Sequence, residues 1–204
     1  MIKYNHKEKN IKKLKTIEND LTYLRQISQS INLSKDNYKE YIKDLEKYCS
    51  NHQLFAISGI QLGIPKRIIY IKTAEEKSYT KNQNNEKIIM INPIKKEELG
   101  LTNYWEGCAS CQNNTCLVER PYQITISYLD ENKKEQEKTY KGFKATIISH
   151  ELDHLDGILH IDIAKQTKQL TKEERKKLRE KFPYKIINKT SKYNHPKRKG
   201  EWIW

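Results

Sequence analysis

The stretch SHELDHLDG, which begins at Ser149, contains two histidines on either side of a glutamate. On an α-helix, His150 and His154 lie one turn apart on the same face, so both side chains can bind one metal ion. Glu151 lies beside that face, within reach of a water on the ion but not placed as a further ligand. This His-Glu-x-x-His spacing predicts a metal site with a carboxylate that can accept a proton.

Two histidines leave a metal ion under-coordinated, and the sequence offers two candidates for a third ligand. The stretch HELDHLDGILH places Gly157 and then His160 at the spacing of metzincin proteases, which would make the chain a zinc endopeptidase. The alternative is Cys108 in WEGCAS, because a thiolate is a good ligand for ions such as zinc. Residue types and spacing leave both candidates open.

Apolar residues surround the histidine pair. Four of them recur at helical spacing, namely Ile148, Leu152, Leu155 and Leu159. Such a stripe predicts a helix anchored in a core, over about residues 144–156, with Gly157 as its C-terminal stop. Buried polar groups cost free energy unless they have partners, and a metal ion supplies one. The context therefore favours a metal site over two histidines on a solvated face.

The four cysteines are Cys49, Cys108, Cys111 and Cys116. Disulfides need an oxidising compartment, and the first twenty residues lack the apolar core of a secretory signal. A zinc knuckle needs a second cysteine pair to match CASC, and none follows. The sequence therefore supports neither disulfides nor a cysteine-rich zinc knuckle.

Three segments in order, AISGIQLG, EGCAS and HELDH, together resemble the three motifs of the peptide deformylase family. The likeness covers roughly residues 54–165. It implies that Cys108, His150 and His154 bind one divalent metal ion, with Fe²⁺ the expected ion and Zn²⁺ or Ni²⁺ able to replace it. The resemblance also implies that His160 lies in an ordinary strand or loop, which would explain the metzincin spacing.

The same resemblance assigns the remaining roles. Glu151 would take a proton from water and give it to the leaving amine, while Gln61 and the backbone N–H of Ala109 would stabilise the oxyanion. Eight further positions match the substrate cleft: Phe55, Ala56, Ile57, Ser58, Glu106, Gly107, Phe143 and Ile147. Core packing is an equally good interpretation of Ile57. Glu106 is expected to pair with Arg120, and Asp153 to orient a ligand or to lie on the helix surface.

The implied reaction is hydrolysis of the N-formyl group from the N-terminal formylmethionine of newly synthesised proteins, with release of formate. Two alternatives remain beside it. One is the zinc endopeptidase that uses His160. The other is a deformylase-like protein that binds nascent chains or the ribosome with weak or no activity, which the basic C-terminal residues suggest.

The expected fold is α+β, with mostly antiparallel sheets around the metal-binding helix. Helices are expected at residues 11–32 and 36–50, and short buried strands at 66–72 and 87–93. Residues 73–86 are polar and are expected to form a loop, and residues 122–143 a β-hairpin. A single catalytic domain is expected over residues 1–165, with its helical part at about 1–50, followed by a basic helix and tail at 166–204.

Lys and Arg outnumber Asp and Glu by 39 to 26, giving a formal net charge of +13. Residues 164–204 hold fourteen of these cations and four glutamates, and a helix is expected at 171–182. This charge is consistent either with a solvated tail or with contact to ribosomal RNA. No apolar run approaches the roughly 20 residues that span a bilayer. A cytoplasmic monomer is therefore expected, with an organellar location not excluded.

Overall fold

The computed structural model describes residues 12–72 and 86–196. Its helices are α1 (Ile17–Leu24), α2 (Tyr38–His52), α3 (Phe143–Leu155), α4 (His160–Ile163) and α5 (Lys172–Lys181). Its strands are β1 (Ala56–Ser58), β2 (Ile68–Lys72), β3 (Lys87–Gly107), β4 (Asn114–Arg120), β5 (Gln123–Leu129), β6 (Glu135–Lys141), β7 (Gln166–Gln169) and β8 (Lys185–Lys192). Within the described ranges, no helix has the length and apolar character needed to cross a membrane.

β3, with 21 residues, is the strand around which the eight-stranded sheet is organised. Its first part pairs with β2, its middle with β5, and its last part with β4 on one side and β8 on the other. All of these pairings are antiparallel. Irregular register between Ile91 and Ile94 and between Lys95 and Glu97 bends the strand, so that successive parts of it meet different partners.

Helices cover both faces of the sheet where β2 pairs with β3. Side chains alternate between the two faces of a strand, and the apolar residues of β2 divide accordingly. Ile69 and Ile71 pack with Ile148 and Leu152 of α3, whereas Ile68 and Tyr70 pack against α2. The α3 side chains in this contact are at most 1% exposed. The structure thus confirms an α+β fold built on an antiparallel sheet.

The first helix is shorter than the sequence predicts. Residues 11–32 were expected to be helical, but α1 ends at Leu24 and contains a non-helical residue, Asp20, at φ −131° and ψ 24°. The Asp20 carboxylate accepts hydrogen bonds from the Lys15 ammonium group and the Thr16 backbone N–H. Short polar side chains that bond to nearby backbone compete with helix formation, which accounts for the irregularity.

Three further predictions of the fold have different outcomes. The hairpin expected at residues 122–143 is present as β5 and β6. His160 does not lie in a strand or loop but begins α4, because the Asp162 carboxylate accepts a hydrogen bond from the Leu159 backbone N–H and so caps this short turn. The polar loop expected at residues 73–86 lies, apart from Glu86, outside the described residues.

Residues 166–196, called the C-terminal segment below, contribute two strands to the same sheet. β7 pairs with β4 from Asn114 to Leu117, and β8 pairs with the part of β3 between Leu99 and Asn103. α5 lies between these two strands in sequence and packs against β3. The C-terminal segment therefore lies next to the end of β3, where Cys108 follows.

Candidate metal centre and active site

α3 carries the two histidines of the first motif. The helix begins directly after Gly142, whose φ of +64° is a conformation that glycine adopts without strain. His150 and His154 lie one turn apart, with ring centroids 4.9 Å apart and ring planes at 83°. His154 is 1% exposed, and the His150 side chain is 12% exposed. The pair is therefore largely withdrawn from solvent.

Cys108 reaches the histidines from the end of β3. It follows Gly107 directly and precedes a 3-10 turn over Ala109–Cys111, which directs the chain back into β4. One donor atom from each of Cys108, His150 and His154 lies within 4.8 Å of the others. In the described part of the chain, residues distant in sequence thus meet in a Cys-His-His group with the spacing of a metal site.

The chemistry of these three donors fits a transition-metal ion. Cys108 Sγ lies 3.2 Å from His154 Nε2. A hydrogen bond from Cys111 and the nearby His154 lower the pKa of the Cys108 thiol although burial opposes this, so the thiolate form that binds metals is favoured. One thiolate and two imidazoles suit zinc or iron rather than magnesium or calcium, which prefer oxygen ligands.

His160, the other candidate for the third ligand, lies nearby but makes a different contact. Its ring centroid is 5.6 Å from that of His150, and its Nε2 lies 3.3 Å from the backbone oxygen of Asn114. Burial lowers the pKa of His160 to about 4 and keeps the ring neutral. It is not one of the three residues whose donor atoms converge.

A buried set of charges, called the charge network below, lies behind His150. It consists of Glu106, Arg120 and Asp153, each at most 4% exposed. The Arg120 guanidinium donates to both Glu106 oxygens, at 2.8 and 3.0 Å, and also to the Asp153 carboxylate. Glu106 Oε2 lies 2.8 Å from His150 Nδ1. That bond leaves His150 Nε2 available to a metal ion.

The charge network also lowers the pKa values of its two carboxyl groups. Burial opposes ionisation of Glu106, yet Arg120 and His150 hold the pKa of this carboxyl well below its usual range. Burial likewise opposes ionisation of Asp153, but Arg120 and His195 lower its pKa to about 2. The expected pair of Glu106 with Arg120 is therefore present. Asp153 is a buried partner of Arg120 and does not lie on the helix surface.

Glu151 is the carboxylate closest in sequence to the histidine donors and is not part of the charge network. It is 5% exposed, and its Oε2 atom has no hydrogen-bond partner in the described residues. Burial raises the pKa of Glu151, while His150 and His154 act in the opposite direction. A buried carboxyl group with a raised pKa and a free oxygen is suited to accept a proton and return it.

The Gln61 side chain is held at both ends of its amide. Its Oε1 accepts hydrogen bonds from the backbone N–H and the hydroxyl of Ser58, both at 3.0 Å. Its Nε2 donates to Ser110 Oγ at 3.0 Å and lies 3.5 Å from Cys108 Sγ. The contacts of Oε1 therefore turn the amide N–H groups toward Cys108. The Ala109 backbone N–H belongs to the residue that directly follows Cys108.

The residues matched to the substrate cleft occupy different environments. Ala56 and Ile147 are partly buried and pack at the edge of the α3 cluster. Phe143 packs edge-on against Tyr104 and Tyr184, with ring centroids at 5.0 and 5.6 Å. Phe55 is also partly buried.

Three residues of that set have contacts other than those expected of a substrate cleft. Ile57 is fully buried in the α2 cluster and so faces the core, because its neighbours on β1 point to the other side of the strand. The Glu106 carboxylate binds Arg120 and His150 and does not face a cleft. Gly107 lies directly against the Arg175 guanidinium of α5, so that a side chain at this position would require Arg175 to move.

Sequence reasoning did not identify four residues that adjoin the centre. Cys111 and Ser110 belong to the turn after Cys108, and the CASC spacing was a signal for the former. Arg175 donates to Thr115 Oγ1 at 2.8 Å beside Gly107. His195 lies 2.9 Å from Asp153 Oδ1. Nothing local to Arg175 or His195 in the sequence indicates either contact.

An antiparallel α+β fold that brings a thiolate, two imidazoles and a buried carboxylate together defines a metal-dependent hydrolase. Comparison with known proteins agrees. The family model described as polypeptide deformylase matches residues 11–170. A peptide deformylase of Pelagibacter ubique is 32% identical over 160 residues, which cover 78% of this chain and 89% of the relative. One from Rhizorhabdus wittichii is 34% identical over 142 residues, covering 68% and 79%.

Solved structures give the same result. A probable peptide deformylase of a Synechococcus phage superimposes with a TM-score of 0.64 at 26% identity, over 74% of this chain and 97% of that one. The Synechococcus elongatus peptide deformylase, solved in complex with actinonin, gives 0.66 at 25% identity, over 89% and 91%. The chain belongs to the peptide deformylase family. Its activity is the removal of the N-formyl group from newly made polypeptides.

Proposed function

We propose that Cys108, His150 and His154 hold one divalent ion, Fe²⁺ in the native protein, and that Zn²⁺ or Ni²⁺ can replace it. The convergence of the three donor atoms within 4.8 Å is the observation that carries this proposal. The lowered pKa of Cys108 and the bond from His150 Nδ1 to Glu106 support it, because both prepare a ligand atom for the ion. When bound, the ion supplies Lewis acidity and makes water a nucleophile at neutral pH.

The protein's own groups divide the remaining work of amide hydrolysis. Glu151 accepts a proton from the attacking water at its unpartnered Oε2 and returns it to the leaving nitrogen. The Gln61 Nε2 group and the Ala109 backbone N–H donate to the oxygen that becomes negatively charged. Ser58 keeps Gln61 oriented by occupying its Oε1 atom, which supports this role for the amide N–H.

The proposed substrate is the N-formylmethionyl end of a polypeptide. Backbone groups of Ala56, Ser58 and Gly107 would pair with an extended peptide in the manner of an added strand. Phe55, Phe143 and Ile147 are partly buried and supply apolar surface for the methionine side chain. The ligands named for similar structures support a peptide-like occupant, since one is bound to actinonin and an Acinetobacter baumannii peptide deformylase is bound to Met-Ala-Ser.

The test is formate release from formyl-Met-Ala-Ser by protein purified without oxygen and loaded with Fe²⁺. Glu151→Gln is the matched control, because it keeps the shape of the side chain and removes the group that carries the proton. We expect its kcat to fall by about 10² to 10⁴ with little change in KM. Formate release from the unchanged chain at or below the rate of this variant would contradict the proposal.

The ligand set has its own test. Cys108→Ala is expected to lose bound metal, whereas His160→Ala is expected to retain it, because His160 bonds to Asn114. Metal content per chain measures both. Loss of bound metal in His160→Ala, with retention in Cys108→Ala, would instead favour the zinc endopeptidase.

We also propose that the chain is a monomer and that its C-terminal segment contacts ribosomal RNA. α5 and β8 expose Lys176, Lys177, Lys185 and Lys189, beside the exposed side chains of Ile186 and Ile187. Removing the segment would also remove β7 and β8 from the sheet, so substitution is the cleaner test. Changing the four lysines to Glu should weaken co-sedimentation with ribosomes, most clearly at low salt, and leave tripeptide turnover unchanged. Unchanged co-sedimentation would refute the contact.

A further inference from the structure

The part of the chain that follows β8 reaches behind the metal centre. It lies outside residues 11–170, where the family model matches. Tyr193, which is 7% exposed, donates its hydroxyl to the backbone oxygen of Glu119 at 3.0 Å. Two residues later, His195 Nε2 lies 2.9 Å from Asp153 Oδ1. The strand pairing of β8 and the Tyr193 bond thus bring a histidine to the charge network.

The contacts of His195 establish its protonation. Its Nε2 faces the Asp153 carboxylate, and its Nδ1 lies 3.0 Å from the backbone oxygen of Pro196. Both neighbours can only accept hydrogen bonds, so both ring nitrogens must donate, and an imidazole that donates twice is positively charged. The His195 side chain is 24% exposed, which lets it exchange protons with solvent.

A count of charges shows what this cation does. The charge network contains two carboxylates, Glu106 and Asp153, but only one guanidinium, Arg120. Unbalanced charge in a buried site is costly, and a carboxylate that loses one cationic partner interacts more strongly with the other. Arg120 bonds to both carboxylates. Loss of the His195 cation from Asp153 would therefore shift Arg120 toward Asp153 and weaken its bonds to Glu106. Glu106 in turn orients the His150 ring.

We propose that His195 is a positioning residue of the metal centre, which completes the charge network and thereby fixes the His150 ring for metal binding. This inference rests on the proposed function, in which His150 is a ligand. Partners that orient metal-bound histidines affect metal affinity even though they do not touch the ion. His195 does not contact His150 and acts through Asp153, Arg120 and Glu106 in turn. The C-terminal segment is thereby a working part of the centre.

The experiment measures Zn²⁺ affinity of the full chain by competition with a chromophoric chelator. His195→Ala is expected to bind Zn²⁺ about tenfold more weakly, the lower end of the effect of removing a partner of a metal ligand. His195→Gln keeps an N–H donor near the position of Nε2 without the charge. Its Zn²⁺ affinity is expected to lie between that of the unchanged chain and that of His195→Ala. The Zn²⁺-loaded form of His195→Gln should show a lower kcat than the unchanged chain, with the same KM.

Tyr193→Phe is the matched control. It removes the hydrogen bond to Glu119 from the same segment but leaves the contact of His195 with Asp153. Its Zn²⁺ affinity is expected to equal that of the unchanged chain. Equal weakening by Tyr193→Phe and His195→Ala would show that attachment of the segment matters and His195 does not, which overturns the inference.

The remaining outcomes are also decisive. Unchanged Zn²⁺ affinity in His195→Ala, beside a weakened Cys108→Ala, overturns this inference alone. Unchanged affinity in Cys108→Ala overturns the proposed function and the inference together. If His195→Ala does not fold, His195→Gln becomes the test, and an affinity equal to that of the unchanged chain then overturns the inference.

Discussion

α3 and α5 are helices of 13 and 10 residues that are built in opposite ways. Nine residues of α3 are buried, including Glu151, Asp153 and His154, whereas none of α5 is. α3 begins without a side-chain cap. α5 begins with a capping box in which Thr171 and Glu174 bond each other's backbone N–H, and it carries acids in its first turn and bases in its last. Packing therefore stabilises the first helix and local interactions the second.

This difference shows where the molecule needs accuracy. A metal ligand must be held to a fraction of an ångström, and close packing on a sheet achieves this because a side chain in a core has few alternatives. A helix held by its caps can shift on the surface without loss of its own structure. Changes in α3 should therefore cost stability and metal binding, whereas matched changes in α5 should remain local.

The largest effect is expected from Arg120→Met. This substitution removes the Arg120 guanidinium, the main partner of the buried carboxylates Glu106 and Asp153. Breaking such a buried pair lowers the free energy of unfolding by about 3 to 5 kcal/mol. Lys176→Met on α5 is the matched control, and it should change the free energy of unfolding by less than about 0.5 kcal/mol. Denaturant titration measures both. Equal effects of the two substitutions would show that the buried ion pairs behind α3 contribute no more to stability than an exposed lysine of α5.

Ile148→Ala should lower the free energy of unfolding by about 2 to 5 kcal/mol, because it leaves a cavity between α3 and the sheet. Leu178, the partly buried leucine of α5, is the counterpart. Leu178→Ala should cost less than about 1 kcal/mol, since it loses less buried area. A larger loss from Leu178→Ala would mean that α5 supports the core.

The contact of His195 with Asp153 should make the free energy of unfolding depend on pH. The hydrogen bond to Asp153 raises the pKa of His195, while burial and the charges of Lys95 and Arg120 oppose the rise. A histidine whose pKa is higher in the folded state stabilises the protein below its unfolded pKa of about 6.5, and this stabilisation disappears as the pH rises through the folded value.

Measuring the free energy of unfolding from about pH 6 to about pH 9 tests this expectation. The unchanged chain should lose stability with rising pH relative to His195→Gln, which cannot titrate at this position. Parallel curves for the two proteins would show that the pKa of His195 does not change on folding, which contradicts this expectation. His52→Gln, at an exposed histidine on α2, is the control for replacing a histidine by glutamine.

The smallest effect is expected from Thr171→Ala. It removes the side chain that accepts from the Glu174 backbone N–H, and loss of such a cap costs about 1 kcal/mol of helix stability. Amide hydrogen exchange in α5 should become faster, while exchange in α3 should stay the same. Faster exchange in both helices would imply that they unfold together.

Local signals in the sequence predict both α3 and α5. The apolar stripe through Ile148 and Leu152 predicted α3 to within a residue at each end, and Gly157, at φ +70°, follows it as expected. Thr171 and Glu174 predicted the start of α5. Cys108 could be chosen over His160 only through resemblance to a family, because its approach to α3 depends on the path of β3.

Most non-local contacts could not be predicted. The bulges of β3, the addition of β8 and the contact of His195 with Asp153 join residues far apart in sequence, and no local pattern specifies them. For Ile57 the sequence left core and cleft open, because a shift of a single position moves a side chain to the other face of a strand. Asp20 interrupts a predicted helix because its side chain competes with the backbone.

The length of β3 has a consequence for the order of folding. The strand pairs with residues as distant as β8, and contacts between positions so far apart in sequence form slowly because long loops must close first. Glu106 and Cys108 stand at its end, and the histidines reside on a helix that packing against the sheet stabilises. Both halves of the centre thus depend on the sheet, and metal uptake during refolding should follow the slow phase of sheet formation.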